Sequence, residues 1–425
     1  MSNFETADIF TDLSLVNDPH LYFEYLRSRG PAVRLPHHGV VAVVGYDEAL
    51  AVFWDDSHFS SVNAVNGPFP GLPFAPEGDD ITAQIERHRG DMTFAGLIAT
   101  QDMPAHAKTR SLLMGMITPR RLKDNEEFMW RLADRQIDGI INRGSFQVSK
   151  EYGRPFTTLV VADLLGVPEE DQKIFTEILS ATGSGAPGQI GGSAGATHNP
   201  LEKIGMRFFQ YILDRRSAPR DDVLTRLALA KYPDGSTPDV IDVVGVATFL
   251  FAAGQDTTDR LITAALRFVA EDSELQRTLR KERERIPQFL EEVLRLQGTV
   301  KALFRLAKKP VKIGNLEVAP GTTVMLIIGA ANRDPRHFEQ PYELQLDRQN
   351  SRDHIAFGRG IHACAGAPLA RAEARITLER LFDRTADIGI DETHHGPRGA
   401  RRFEFEPTYM FRGLKELHLE ITAAG

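Results

Sequence analysis

Apolar positions recur every three to four residues through most of the chain. Short alternating runs replace that spacing near the start, around residues 310 to 330, and near the end. The pattern predicts a mainly α protein with a smaller β part. Strands are expected at residues 32–35 and 39–44, at 311–318 and 322–328, and as a terminal hairpin made of 402–406 and 416–421. The longest helix should open at Thr237 and Pro238, an N-cap and first-turn pair, and run to about Ala270, roughly 50 Å at about 1.5 Å per residue. Its first half, residues 240–253, is apolar nearly all round and belongs in the interior. The run Ala253, Gly254, Gln255, Asp256, Thr257, Thr258 then sets polar groups in the middle of a buried rod. Glycine weakens a helix locally, and a threonine hydroxyl can take over a main-chain carbonyl. The plain reading is a kink where the helix meets solvent. The functional one is proton delivery, since a carboxylate beside a hydroxyl in a buried groove can relay protons to a bound small molecule. Two stretches look irregular: 67–101, rich in Gly, Pro and Phe, and the glycine-rich 182–200, each with the composition of a lid or a linker.

At 425 residues the chain has room for two domains or one large enzyme core. A formal charge of −8 argues against a general nucleic-acid surface. One cysteine excludes an internal disulfide framework and any two-cysteine zinc or redox motif, which fits a reducing cytoplasm. The opening MSNFETADIF has no basic segment followed by an apolar run, so neither a signal peptide nor a membrane anchor is expected.

That cysteine, Cys364, lies in FGRGIHACAG, residues 357–366, directly ahead of a helical stretch. Small neighbours let main-chain N–H groups approach the sulfur, Pro368 suits a first helical turn, and the helix dipole favours an anion there. The expectation is a persistent thiolate that binds iron, against the plainer one of an inert buried thiol. Two further segments carry charge at helical spacing. In EEVLR, Glu292 and Arg295 sit one turn apart; in DMPAHAKTR, His106 and Arg110 are four apart on one face and can reach the same anion.

Together these segments resemble one family, the soluble bacterial cytochromes P450, which are haem-thiolate monooxygenases. FGRGIHACAG followed by APLARAEARITLERLF is similar to the family's haem loop and the helix after it. AGQDT is similar to its oxygen-activating helix, EEVLR to its paired-charge helix, and ANRDPRHFEQP to its meander. Met103 and Ile117 depart from the family's commonest residues. The resemblance spans essentially the whole chain. It implies a single domain over 1–425, with haem between a long central helix and the Cys-loop helix, a helical core at 104–300 and 366–385, and β-rich portions near 32–60, 310–330 and 400–425.

The resemblance further implies haem b, iron protoporphyrin IX, with Cys364 as its proximal ligand and Phe357 shielding the sulfur's side. His106, Arg110, Arg305 and His362 would hold its propionates. Asp256 and Thr257 match the acid and alcohol pair, and Glu292, Arg295 and Arg348 a structural ion network. The substrate pocket would be lined by Phe249, Ala253, Gly254, Leu303, Tyr409 and Met410, by residues 67–101, and by a lid at 182–200. The expected substrate is small and apolar, such as a terpenoid, a steroid fragment, a fatty acid or an aromatic, hydroxylated with one atom of O2. No flavin or NAD domain fits this length, so electrons are expected from a separate ferredoxin and its reductase, docking where Arg110 and Arg359 lie. A peroxygenase, an isomerase or a haem-holding sensor would not need Asp256 with Thr257. A cysteine hydrolase would need an oriented base that His362, in the same turn as Cys364, does not offer.

Overall fold

The computed structural model describes residues 4–180, 190 and 200–424. Helices dominate, and the longest, Val240–Glu271, packs against Arg154–Leu164, Pro200–Ser217 and Ala367–Arg384. Val243, Ala247, Phe251, Leu261, Leu266 and Val269 are buried in the largest apolar cluster. This is the one described helix long and apolar enough to cross a bilayer, and its place in the core accounts for that composition. The helix starts later than the sequence predicts. Asp239, in extended conformation, precedes its first turn, and the Pro238 carbonyl accepts instead from Arg216 Nη2 at 2.7 Å.

The main sheet has the order Ala32–Arg34, Val41–Val43, Thr323–Leu326, Leu303–Ala307, Phe59–Ser60. Val41–Val43 pairs antiparallel with the first strand and parallel with Thr323–Leu326, which pairs antiparallel with Leu303–Ala307. The expected strand at 311–318 is instead a hairpin, Val311–Ile313 against Leu316–Val318, because Gly314 takes φ +58° in the turn between them. The expected terminal hairpin is also different. His418–Ala423 pairs with Thr385–Ile390 and Ser145–Gln147, while residues 404–406 meet 413–415 in a short ladder around the bridge of Phe405 with Leu414. Thr385–Ile390 places Ile388 and Ile390 inward and so offers the last strand an apolar partner that 402–406, carrying Arg402, Glu404 and Glu406, does not. Within 67–101 the chain forms the short helix Thr82–Arg87 and the 3-10 turns Arg89–Asp91 and Ile98–Thr100.

The paired-charge helix, Ile286–Gln297, shows the cost of burying charge and how it is met. Glu292 and Arg295 are both fully buried, joined by two hydrogen bonds of 2.7 and 2.9 Å. Arg348 Nε and the Gln345 N–H add bonds of 3.1 and 3.0 Å to the same carboxylate. The rest of the Arg295 guanidinium donates to the carbonyls of Asn332, Pro341 and Glu343. All five guanidinium protons and both carboxylate oxygens are thereby engaged, which is the condition for a buried pair to be tolerated. Replacing Glu292 by Ala should leave a buried guanidinium without its partner and destabilise the protein by about 3–5 kcal/mol. Urea unfolding of the variant beside the wild type measures it.

Candidate functional site

Residues 357–366 turn back on themselves before the helix Ala367–Arg384 begins, with Pro368 in its first turn. The Cys364 N–H donates to the Phe357 carbonyl at 2.9 Å, and the Ala363 N–H to Gly360 at 3.1 Å. Gly360 has φ +71°, and a Cβ there would stand 2.2 Å from the Phe53 carbonyl oxygen, so the close approach of this loop to Phe53 requires glycine. Phe357 lies under the Arg371 guanidinium, 4.7 Å from its ring centre. The Cys364 side chain is exposed, in a loop whose other residues are mostly half-buried.

Burial pushes the Cys364 thiol above its ordinary range, against the pull of the Gly366 and Ala367 N–H groups and of Arg110 and Arg371. The turn and the helix start favour the anion, as the sequence suggests, and burial opposes it in the metal-free protein.

Four nitrogen-bearing side chains converge beside the loop. The His106 and His362 rings lie 4.2 Å apart, and the Nε2 of each is buried without a hydrogen-bond partner among the described residues. Arg110 Nη2 donates to the Ala363 carbonyl at 2.7 Å. Arg305 is buried in the strand Leu303–Ala307; it donates to the Phe304 carbonyl, and among the described residues no carboxylate is within ion-pair distance. Burial depresses Arg305 to about 10. Burial together with the nearby Arg305, His106 and Arg110 depresses His362 to about 2. Unpaired buried donors are costly, so this set is shaped for an anionic guest. An exposed sulfur and donors suited to two carboxylate arms fit the iron and propionates of haem.

The long helix carries the other candidate residues. Thr257 Oγ1 donates to the Ala253 carbonyl at 2.7 Å, the back-bonding that the sequence suggests. Gly254 lies against Val161, whose Cγ2 would be 3.0 Å from an added Cβ. Asp256, its side chain 37% exposed, faces Arg260 Nη2 at 3.6 Å. Ala253 is exposed, Phe249 and Leu303 are half-buried, and Tyr409 and Met410 pack with Phe10 and Phe304 in a second apolar cluster. The Met410 carbonyl accepts from the N–H groups of Lys301 and Ala302 at 2.7 and 3.2 Å, which brings the 408–411 turn onto the approach to Leu303. The glycine-rich stretch 182–200 lies outside the described residues, except for Pro200, which opens a helix, and Ile190, whose N–H donates to the Pro407 carbonyl at 2.7 Å.

Sequence reasoning passed over Glu291. It is buried, accepts from Arg371 Nε and Nη2 at 2.6 and 2.9 Å, and lies 3.0 Å from His354 Nε2. Burial alone would raise this carboxyl, but His354 and Arg371 hold it down at about 2. Arg371 sits about one turn into the Cys-loop helix, so Glu291 ties that helix to Ile286–Gln297. The available signal was a second glutamate beside Glu292 with an arginine after the cysteine.

Comparison with known proteins follows the same lines. Residues 205–384 match the family model described as cytochrome P450. Over 398 residues, 92% of this chain and 89% of the relative, the chain is 31% identical to Cytochrome P450 144 of Mycobacterium tuberculosis. The structure of Mycobacterium marinum cytochrome P450 CYP150A6 in its substrate-free form is 53% identical, covers 100% of both chains and superposes with a TM-score of 0.94. CYP109E1 from Bacillus megaterium, in complex with corticosterone, is 27% identical over 95% of this chain and 98% of its own, with a TM-score of 0.79. With the site geometry, these likenesses establish that the chain belongs to the cytochrome P450 family of haem-binding monooxygenases.

Proposed function

We propose that Cys364 is the iron ligand of a haem whose propionates are held by His106, Arg110, Arg305 and His362, and that the enzyme hydroxylates a small apolar substrate. The observation that carries the reading is the buried Nε2 atoms of His106 and His362, without partners among the described residues, together with Arg305, which has no acidic partner there, beside the exposed Cys364 side chain. When bound, the haem supplies the activation of dioxygen, to which a thiolate ligand lends electron density. The protein's residues do the rest. Arg371 and Phe357 cover the sulfur's side. Asp256 and Thr257 deliver protons, Thr257 from a hydroxyl already held at the Ala253 carbonyl. Phe249, Ala253, Gly254, Leu303, Tyr409 and Met410 form the substrate side, and the steroid bound by CYP109E1 supports a guest of that size among the apolar classes. Electrons come from a redox partner of ferredoxin type docking near Arg110 and Arg359, in the cytoplasm.

The reduced protein with carbon monoxide should show the long-wavelength Soret band of thiolate-ligated haem, and Cys364→Ala should lose it. Thr257→Ala should keep that band while reducing equivalents are diverted to peroxide; unchanged peroxide yield would remove Thr257 from the relay. Arg305→Met should have two opposite effects. It removes a buried unpaired charge, so the haem-free protein should unfold at the same or a higher urea concentration. It also removes a charged hydrogen-bond donor worth about 1.5–3 kcal/mol to an anion, so haem should transfer to apomyoglobin roughly ten times faster or more.

A further inference from the structure

Three residues beyond Asp256 the long helix carries a second acid, Asp259, with its side chain wholly inside the protein. Its Oδ2 accepts from Ser149 Oγ at 2.5 Å and lies 3.6 Å from Arg154 Nε; Oδ1 has no hydrogen-bond partner. Gly153 closes the site, since a Cβ there would stand 2.0 Å from Oδ1. Arg154 reaches on to Glu406 at 3.9 Å, Glu406 accepts from Arg260 at 2.7 and 3.1 Å, and Arg260 is 3.6 Å from Asp256. The chain of contacts therefore runs Asp259, Arg154, Glu406, Arg260, Asp256.

The charges in this chain do not balance. Three carboxyls, Asp256, Asp259 and Glu406, share two guanidiniums, Arg154 and Arg260. The nearest other cations are engaged elsewhere: Arg267 pairs with Glu271, and Arg412 donates to Gln297 and to the carbonyls of Val16 and Asn17. A low-dielectric site with one acid too many retains a proton on the acid deepest within it. That acid is Asp259. Burial pushes its carboxyl up to about 6, against the pull of Ser149, Arg154 and Arg260 and with the help of Asp256.

We propose that Asp259 is a positioning residue for the Asp256–Thr257 relay: when ionised it draws Arg154 from Glu406, leaves Glu406 to Arg260, and so frees Asp256 to turn toward Thr257. The proton leaves to water along Arg154, whose side chain is 39% exposed. While Asp259 is protonated, Arg154 serves Glu406 and Arg260 is left to hold Asp256. The inference rests on the relay reading above, and its test is chosen so that the two fail separately.

The test is infrared difference spectroscopy of the haem-loaded protein between pH 5 and 8, together with dioxygen consumption by the photoreduced enzyme over the same range, with dioxygen as the only probe. The wild type should show a protonated-carboxyl band that disappears with a midpoint near about 6. Asp259→Asn should lack the band, and Ser149→Ala, which removes a bond to the carboxylate, should move the midpoint upward. From one unit below that midpoint to one above, the ionised fraction rises from about one-tenth to about nine-tenths, so dioxygen consumption should rise up to roughly ninefold in the wild type. It should stay flat at the low level in Asp259→Asn. An acid whose folded pKa lies above its unfolded one loses stabilising protonation as pH rises through the window from about 4 to about 6. Asp259→Asn should therefore melt no lower than the wild type above that window, which separates the effect from misfolding. A band that persists in Asp259→Asn, or an unchanged pH profile in that variant, overturns the proposal. An unchanged peroxide yield in Thr257→Ala, with the Asp259 band behaving as expected, overturns the relay reading instead.

Discussion

Two adjacent carboxylates on one helix hold the site together. Glu292 turns toward Arg295 and Arg348 and fixes the segment after the main sheet, while Glu291 turns toward Arg371 and His354 and fixes the Cys-loop helix and the strand of chain leading into the loop. Both are buried, where an unpaired carboxylate would cost several kcal/mol or would take up a proton. Each instead meets a guanidinium in two-bond geometry, which sets direction as well as distance. The place of Cys364 is therefore set from outside its own loop. Arg371 reaches Glu291 from the helix that Cys364 precedes, and Arg359 anchors the front of the loop to the carbonyls of residues 352 to 354.

The buried polar groups of the site and of its two acid clusters fall into three kinds, and the difference between them is what the fold can supply. Glu291, Glu292, Arg295 and Arg348 are matched by partners within the protein and belong to the scaffold. Asp259 has partners but one carboxyl too many around it, and the imbalance is met by a proton. Arg305 carries a charge, and His106 and His362 carry ring nitrogens, that the described residues leave without an acidic partner. A protein that selected only for stability would replace the third kind with apolar side chains of similar volume.

Much of this was legible in the sequence, for identifiable reasons. The long helix was visible because residues 240–253 are apolar nearly all round; the polar run Gly254 to Thr258 breaks that pattern, while the helix itself continues through it. The Cys loop was visible because glycines that meet other backbone closely, as Gly360 meets Phe53, leave a mark in composition. Strand partners were not legible where they depend on distant chain. The pairing of His418–Ala423 with both Thr385–Ile390 and Ser145–Gln147 involves residues far apart, and alternation alone does not say which run lies alongside which. Glu291 and Asp259 escaped for a related reason. An acid in a helical sequence reads as surface until the cations from other elements, Arg371 for one and Arg154 for the other, are known to be in reach.

Cofactor binding and stability are linked by the same accounting. Arg305 and His362 are held below their ordinary proton affinity by burial, and Cys364 above its own, so each departs from its solution state in the direction that an anionic, metal-bearing guest would reverse. A carboxylate beside Arg305 and His362 restores their affinity for protons, and a cation on the sulfur removes its proton. Folding and haem uptake are thereby parts of one equilibrium.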